Sequence, residues 1–290
     1  FVCNHLDFSL LFSYSMATAN YQDGLNPNHD DEEPNHIILW LDANIGNPKE
    51  YRHLKKAFGS NTDPRESVPT QLRRRDYENL LRESEAQPVL FEGIYFLLQV
   101  FNDKNQCLKA YKQHSIDKKV FLITSGRLGK EIVPEIFNYN PDASIDKITQ
   151  EPCSSIYVFC QNVKEHLEWA INYINVEIFD FDSTLLQRLL RDIATYFINR
   201  AERLRSDPNR KKQTLQRLYW AKRLWHQYDK MDQNIPADSF QEVRESSKMK
   251  EINRLIQQID PNPPQETYYY EYANRSNEND DENIAVESEN

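Results

Sequence analysis

The sequence predicts an α/β fold built on a parallel sheet, and three observations carry that expectation. Lys119-Val-Phe-Leu-Ile-Thr-Ser-Gly126 and Ser155-Ile-Tyr-Val-Phe-Cys160 are short apolar runs rich in β-branched and aromatic residues. Such runs read as strands buried on both faces. Each is followed by a stretch with helical spacing, and strands separated by helices pair in parallel within one sheet. Sheets of this kind open their ligand crevice at the carboxyl ends of the strands.

Residues 17–35, ending Asp30-Asp-Glu-Glu33-Pro34, are polar and acidic and are expected to form a disordered leader. Residues 1–15 include the apolar run Phe8–Tyr14, which lacks the basic start of a secretory signal and is too short to span a bilayer. Met16-Ala-Thr18 resembles an initiator, so 1–15 are expected to lie upstream of the true start. His36–Asp42 is the first strand, and Pro48 opens a helix predicted to reach Phe58. The charged span 60–90 reads as an irregular insertion with a short helix around Tyr77–Arg82.

Tyr95–Phe101 is the second predicted strand, and Asn102-Asp103 caps the following helix, which carries Cys107, Leu108 and Tyr111. The third strand is 119–125, followed by a helix over 128–137. A polar excursion, 138–153, leads to the fourth strand, 155–160. Asn162 caps a helix bearing Val163, Leu167, Trp169, Ala170 and Tyr173. Val176–Asp180 is a fifth strand, and Asp182-Ser183 caps a helix ending near Arg205. Five strands alternating with five helices over 36–205 match a five-stranded parallel, flavodoxin-like or receiver-like layout.

Beyond Ser206-Asp-Pro208 the pattern is helical, a C-terminal extension over 206–260. A helix at 210–231 carries the stripe Leu215, Leu218, Tyr219, Leu224, Trp225 and Tyr228, and a second at 247–259 carries Met249, Ile252, Leu255, Ile256 and Ile259. Residues 261–290 read as a disordered acidic tail.

Composition bounds the partners. A net charge of −10 argues against a nucleic-acid backbone or an anionic membrane surface as the main partner. The four cysteines, Cys3, Cys107, Cys153 and Cys160, have no CxxC spacing. Reduced, buried thiols and a cytoplasmic location are expected.

The chemistry narrows by elimination. Six glycines form no GxGxxG, and Gly126-Arg-Leu-Gly-Lys130 lacks the spacing and the Ser/Thr of a P-loop. An aspartyl-phosphate receiver needs an acceptor carboxylate after the third strand and a lysine after the fifth. Thr124-Ser125 and Asp180-Phe-Asp182 stand there instead. GxSxG and HExxH are absent, no histidine spacing suggests a metal, and Cys160 with His166 is the one conceivable nucleophile pair. No cofactor is expected. The best ligand site is Thr124, Ser125, Gly126 and Arg127 at a helix start, with Asp42 and Asn44 from the neighbouring strand end; it suits a small anion. Helix capping and a tight turn would account for the same residue types.

Three segments carry a resemblance: Ile38-Leu-Trp-Leu-Asp-Ala-Asn-Ile-Gly46, Val120-Phe-Leu-Ile-Thr-Ser-Gly-Arg-Leu-Gly-Lys-Glu-Ile-Val-Pro134 and Ser155-Ile-Tyr-Val-Phe-Cys-Gln-Asn162. Over about 36–200 the chain resembles an uncharacterised receiver-like module at the N-terminus of invertebrate multidomain proteins. Those proteins often continue into tetratricopeptide repeats or an arginine-specific mono-ADP-ribosyltransferase domain. The resemblance implies a regulatory or recognition role and assigns no catalytic residues. Glu287-Ser-Glu289, the only Glu-x-Glu near the end, has no strands before it, so the transferase domain is expected to be absent.

The leading expectation is a non-catalytic signalling or protein-interaction module. Tyr219, Trp225 and Tyr228 are its candidate partner anchors, unless the stripe packs inside the molecule. The rival readings are a regulatory domain linked to NAD-dependent arginine ADP-ribosylation and a nucleotide-binding enzyme using the 124–130 loop.

Overall fold

The computed structural model describes residues 35–47, 49–60, 70–143, 145, 150, 155–236 and 241–263. In chain order these form β1 (His36–Leu41), α1 (Arg52–Lys56), β2 (Phe58–Ser60), β3 (Thr70–Gln71), α2 (Arg74–Leu80), β4 (Gln87–Phe91) and β5 (Ile94–Phe101). There follow α3 (Lys104–His114), β6 (Lys119–Ser125), α4 (Gly126–Tyr139), β7 (Ile156–Phe159), α5 (Val163–Ala170), β8 (Val176–Phe179) and α6 (Asp182–Leu204). A 3-10 turn at Pro208–Arg210 then leads to α7 (Lys211–Asp232) and α8 (Ser247–Ile259).

The sheet has eight strands in the order β3-β2-β4-β5-β1-β6-β7-β8. β5, β1, β6, β7 and β8 pair in parallel throughout and are the five strands expected from the sequence. The expected count of five is corrected by an antiparallel wing, β4, β2 and β3, beside β5. That wing comes from the span read as irregular. Its hairpin turns on Glu92 (φ 47) and Gly93 (φ 74), two positive-φ residues as a type I′ turn requires. Phe58 belongs to β2 rather than to the first helix, which is one short turn whose N-cap, Tyr51, has φ 56.

Helices cover both faces because alternate strand residues point to opposite sides. Ile37, Leu39 and Leu41 of β1 pack with Cys107, Leu108 and Tyr111 of α3 and Leu128, Ile132 and Ile136 of α4. Ile38 and Trp40 face the other core, shared by Leu54, Tyr77 and the apolar faces of α6, α7 and α8. The helical extension therefore completes one face of the sheet. Trp225 Nε1 donates to Ser246 Oγ at 3.0 Å, and that same hydroxyl caps α8 by accepting from Met249 N at 3.2 Å. Among the described residues no helix is long and apolar enough to cross a membrane. The expected leader, the tail beyond 263, Cys3 and Cys153 lie outside the described residues.

Candidate functional site at the carboxyl ends of the parallel strands

Leu41 and Thr124 are register partners, so β1 and β6 end side by side and bring the two expected halves of the site together. Asp42 leaves β1 only 3 % exposed, and both carboxylate oxygens are engaged. Oδ1 accepts from the Asn44 backbone N–H at 2.5 Å, and Oδ2 accepts from the Tyr51 hydroxyl at 2.6 Å. Tyr51 reaches it from a left-handed backbone, with its ring against Phe159 at 4.7 Å and Trp40 at 5.2 Å. Burial, and then the Asp42 carboxylate, push the Tyr51 hydroxyl well above the usual phenol range, so it stays a fixed proton donor.

Lys55 stands one helical turn further on and is itself largely buried. Its Nζ donates to Asn47 O at 2.6 Å and lies 5.3 Å from the Tyr77 ring centroid. Burial lowers its pKa to about 8, against the opposing pull of Asp42 and Glu50. His53 ties this corner to α6: its backbone N–H donates to Asp182 Oδ2 at 2.7 Å, and its Nδ1 meets Asp182 Oδ1 at 2.8 Å. Asp182 is thus the first residue of α6 rather than its cap, which is Phe181.

At the end of β6 the expected residues divide by strand alternation. Thr124 is fully buried, with its methyl 3.1 Å from where a Cβ on Gly129 would sit. Ser125 has the extended backbone of an N-cap, yet its side chain makes no capping hydrogen bond to α4. Gly126 begins the helix and Arg127 is exposed. Thr124 is therefore a core residue, while Ser125 and Arg127 are the members of the loop that can meet a ligand.

His166 and Cys160 crowd the start of α4. A Cβ on Gly126 would lie 2.5 Å from His166 Nε2 and 2.7 Å from Cys160 Cβ. Trp169 Nε1 donates to His166 Nδ1 at 3.1 Å, which leaves the ring proton on Nε2 beside the first turn of the helix. The Cys160 thiol is pushed up by burial and by the nearby Asp180 and Glu165 carboxylates. An activated cysteine needs the opposite shift, so the Cys160–His166 pair lacks the electrostatics of a nucleophile.

The aromatic stripe on α7 turns inward. Tyr219 and Trp225 are buried in the core, and the Tyr228 ring packs against Trp225 in a tilted arrangement with ring centroids 5.3 Å apart. Among the described residues, no group of three or more His, Cys, Asp and Glu could hold a metal ion. Comparison with protein-family models, curated proteins and solved structures finds no match to the chain. The site must speak through its own geometry.

Tyr51, Lys55 and the His53–Asp182 link were not singled out from the sequence. The available signal was weak: three polar or aromatic residues beyond the end of β1, and one acidic residue beyond the end of β8. Their convergence depends on α1 folding back over that end.

Proposed function

We propose that this chain is a non-catalytic signalling or protein-interaction module, a receiver-like domain that has lost its phosphoacceptor. The parallel strands support the reading: numbered among themselves, β1, β5, β6, β7 and β8 run 2-1-3-4-5 across the sheet. That is the order of flavodoxin-like sheets. The observation that carries it is the state of Asp42. Asp42, the carboxylate that ends the first strand, is 3 % exposed and engaged on both oxygens by Tyr51 and Asn44, and the neighbouring strand end offers Ser125. A carboxylate held this way is structural, and no acyl phosphate can form on serine.

On this proposal the module belongs with the receiver-like N-terminal domains that accompany tetratricopeptide repeats or arginine ADP-ribosyltransferases, in a regulatory role. A second reading, a small anion over Ser125, Gly126 and Arg127, is favoured by one feature. The Ser125 side chain makes no cap hydrogen bond, so helix capping does not account for it. A thermal-shift screen with acetyl phosphate, nucleotides and NAD analogues tests both. No shift and no turnover with any of them is the expected result. Covalent phosphorylation, or NAD turnover, overturns the non-catalytic reading, and a saturable shift lost in Arg127→Ala selects the anion site.

A further inference from the structure

The turn between α6 and α7 is a basic stretch in an acidic protein. From Arg200 to Lys212, six basic residues stand against Glu202 and Asp207, in a chain of net charge −10. Arg203, Arg205, Arg210, Lys211 and Lys212 are exposed. Arg210 to Lys212 also occupy the N-terminal end of α7, whose first turn has no acidic residue. Helix amides and dipole are already positive there, so the cations at that end favour an anion beside them, as the Asp207 carboxylate stands 3.5 Å from Arg210 Nε. Arg200 Nε is buried and meets no acceptor among the described residues.

The same corner receives the chain as it enters the sheet. His36, the first residue of β1, feels the positive fields of Arg217 and Arg200. The Arg217 guanidinium lies 4.4 Å from the Trp220 ring centroid, and that ring lies 5.7 Å from the His36 ring. Immediately before Asn35 the sequence reads Asp30-Asp-Glu-Glu33-Pro34. Two to five residues of chain reach at most about 7–18 Å from Asn35, so these carboxylates are tethered next to the basic corner.

We propose that the basic corner of α6 and α7 is a docking site for an acidic segment, and that Asp30–Glu33 is its occupant in cis. Charge complementarity and the point of chain entry select this occupant over an acidic segment of a partner. A tethered occupant acts at millimolar effective concentration and shields the corner from acidic segments of other proteins. The inference is independent of the functional reading above, because it concerns neither the strand ends nor catalysis.

Carbodiimide cross-linking of the full chain tests it. The reagent activates a carboxylate, a neighbouring lysine amine displaces it as the urea, and an amide joins the two side chains. Amides from Asp30, Asp31, Glu32 or Glu33 to Lys211 or Lys212 are expected within monomers, and their yield should fall in about 0.5 M salt, where the screening length drops to a few ångströms. Their absence, or their appearance in covalent dimers alone, overturns the proposal. A second variant, with Asp30→Asn, Asp31→Asn, Glu32→Gln and Glu33→Gln together, should bind a poly-glutamate peptide at least about fivefold more tightly than wild type. Equal affinities would refute the shielding.

Discussion

The Tyr51 hydroxyl and the Asp42 carboxylate form a buried pair, 2.6 Å apart, at the carboxyl end of the central strand. The bond clamps α1 over the place where a parallel sheet usually presents a ligand. It is made by a residue with φ 56, a conformation that costs a non-glycine residue about 1 kcal/mol or more. The strain persists because the ring packs on Phe159 and Trp40 while the hydroxyl donates to a buried carboxylate.

Tyr51→Phe keeps the ring and removes the donor, leaving Asp42 with an unmatched oxygen. A loss of about 1–3 kcal/mol is expected in urea unfolding, with an unchanged dependence on denaturant. A neutral substitution would show that Asp42 finds another donor and that the pair does not hold α1 in place.

Gly126→Ala and Gly129→Ala should differ sharply. The first places a methyl 2.5 Å from His166 Nε2 and 2.7 Å from Cys160 Cβ, and Cys160 Cβ is fixed to its backbone. The second meets Thr124 Cγ2 at 3.1 Å and Val158 at 3.4 Å, which small adjustments relieve. Overpacking of the first kind costs about 1–3 kcal/mol. Thermal unfolding of the two variants checks the contrast, and equal stabilities would contradict the crowding at the α4 start.

His36 should make the protein acid-sensitive. Burial first, then the fields of Arg217 and Arg200, lower its pKa to about 3, despite a bond to Tyr95 O at 2.9 Å. The unfolded state therefore takes up the proton first as pH falls below about 6.5, and the stability that neutral His36 contributes is lost progressively toward about 3. The loss approaches 1.4 kcal/mol per pH unit, about the free energy of one pKa unit. Wild type and His36→Gln should converge in stability as pH is lowered from 7 to 5. A gap that stays constant would show that His36 is protonated as easily folded as unfolded. The comparison with a variant matters because Glu92, raised to about 7 by burial, titrates in the opposite sense over part of that range.

On the second reading, the anion site, Arg127→Ala should leave folding intact, since the side chain is exposed, and should weaken an anion bound over Ser125 and Gly126 by about 1–3 kcal/mol. Calorimetry with pyrophosphate on both proteins provides the measurement. Binding that survives the substitution unchanged would remove the loop as an anion site.

By itself the sequence determined the parallel half of the sheet, because its strands announce themselves locally. Runs such as Lys119–Ser125 are apolar on both faces because helices cover both faces, the setting in which parallel sheets occur. The same locality located Asp42, Ser125 and Arg127 at strand ends. The antiparallel wing was hidden because β2 and β3 are three and two residues long, and Glu92-Gly93 is a weaker turn signal than Asn-Gly. The aromatic stripe left two outcomes open, and the placement of Tyr219 and Trp225 against α6 and α8 resolved it inward. Only tertiary structure could decide what Asp42 does. Its partner hydroxyl stands nine residues away on a strained turn, and its fate as ligand or clamp depends on where α1 lands. That landing is fixed by Asp182, far along the chain, through two bonds to His53. Periodicity records which face a residue presents. Distance between residues remote in sequence is a property of the packed chain alone.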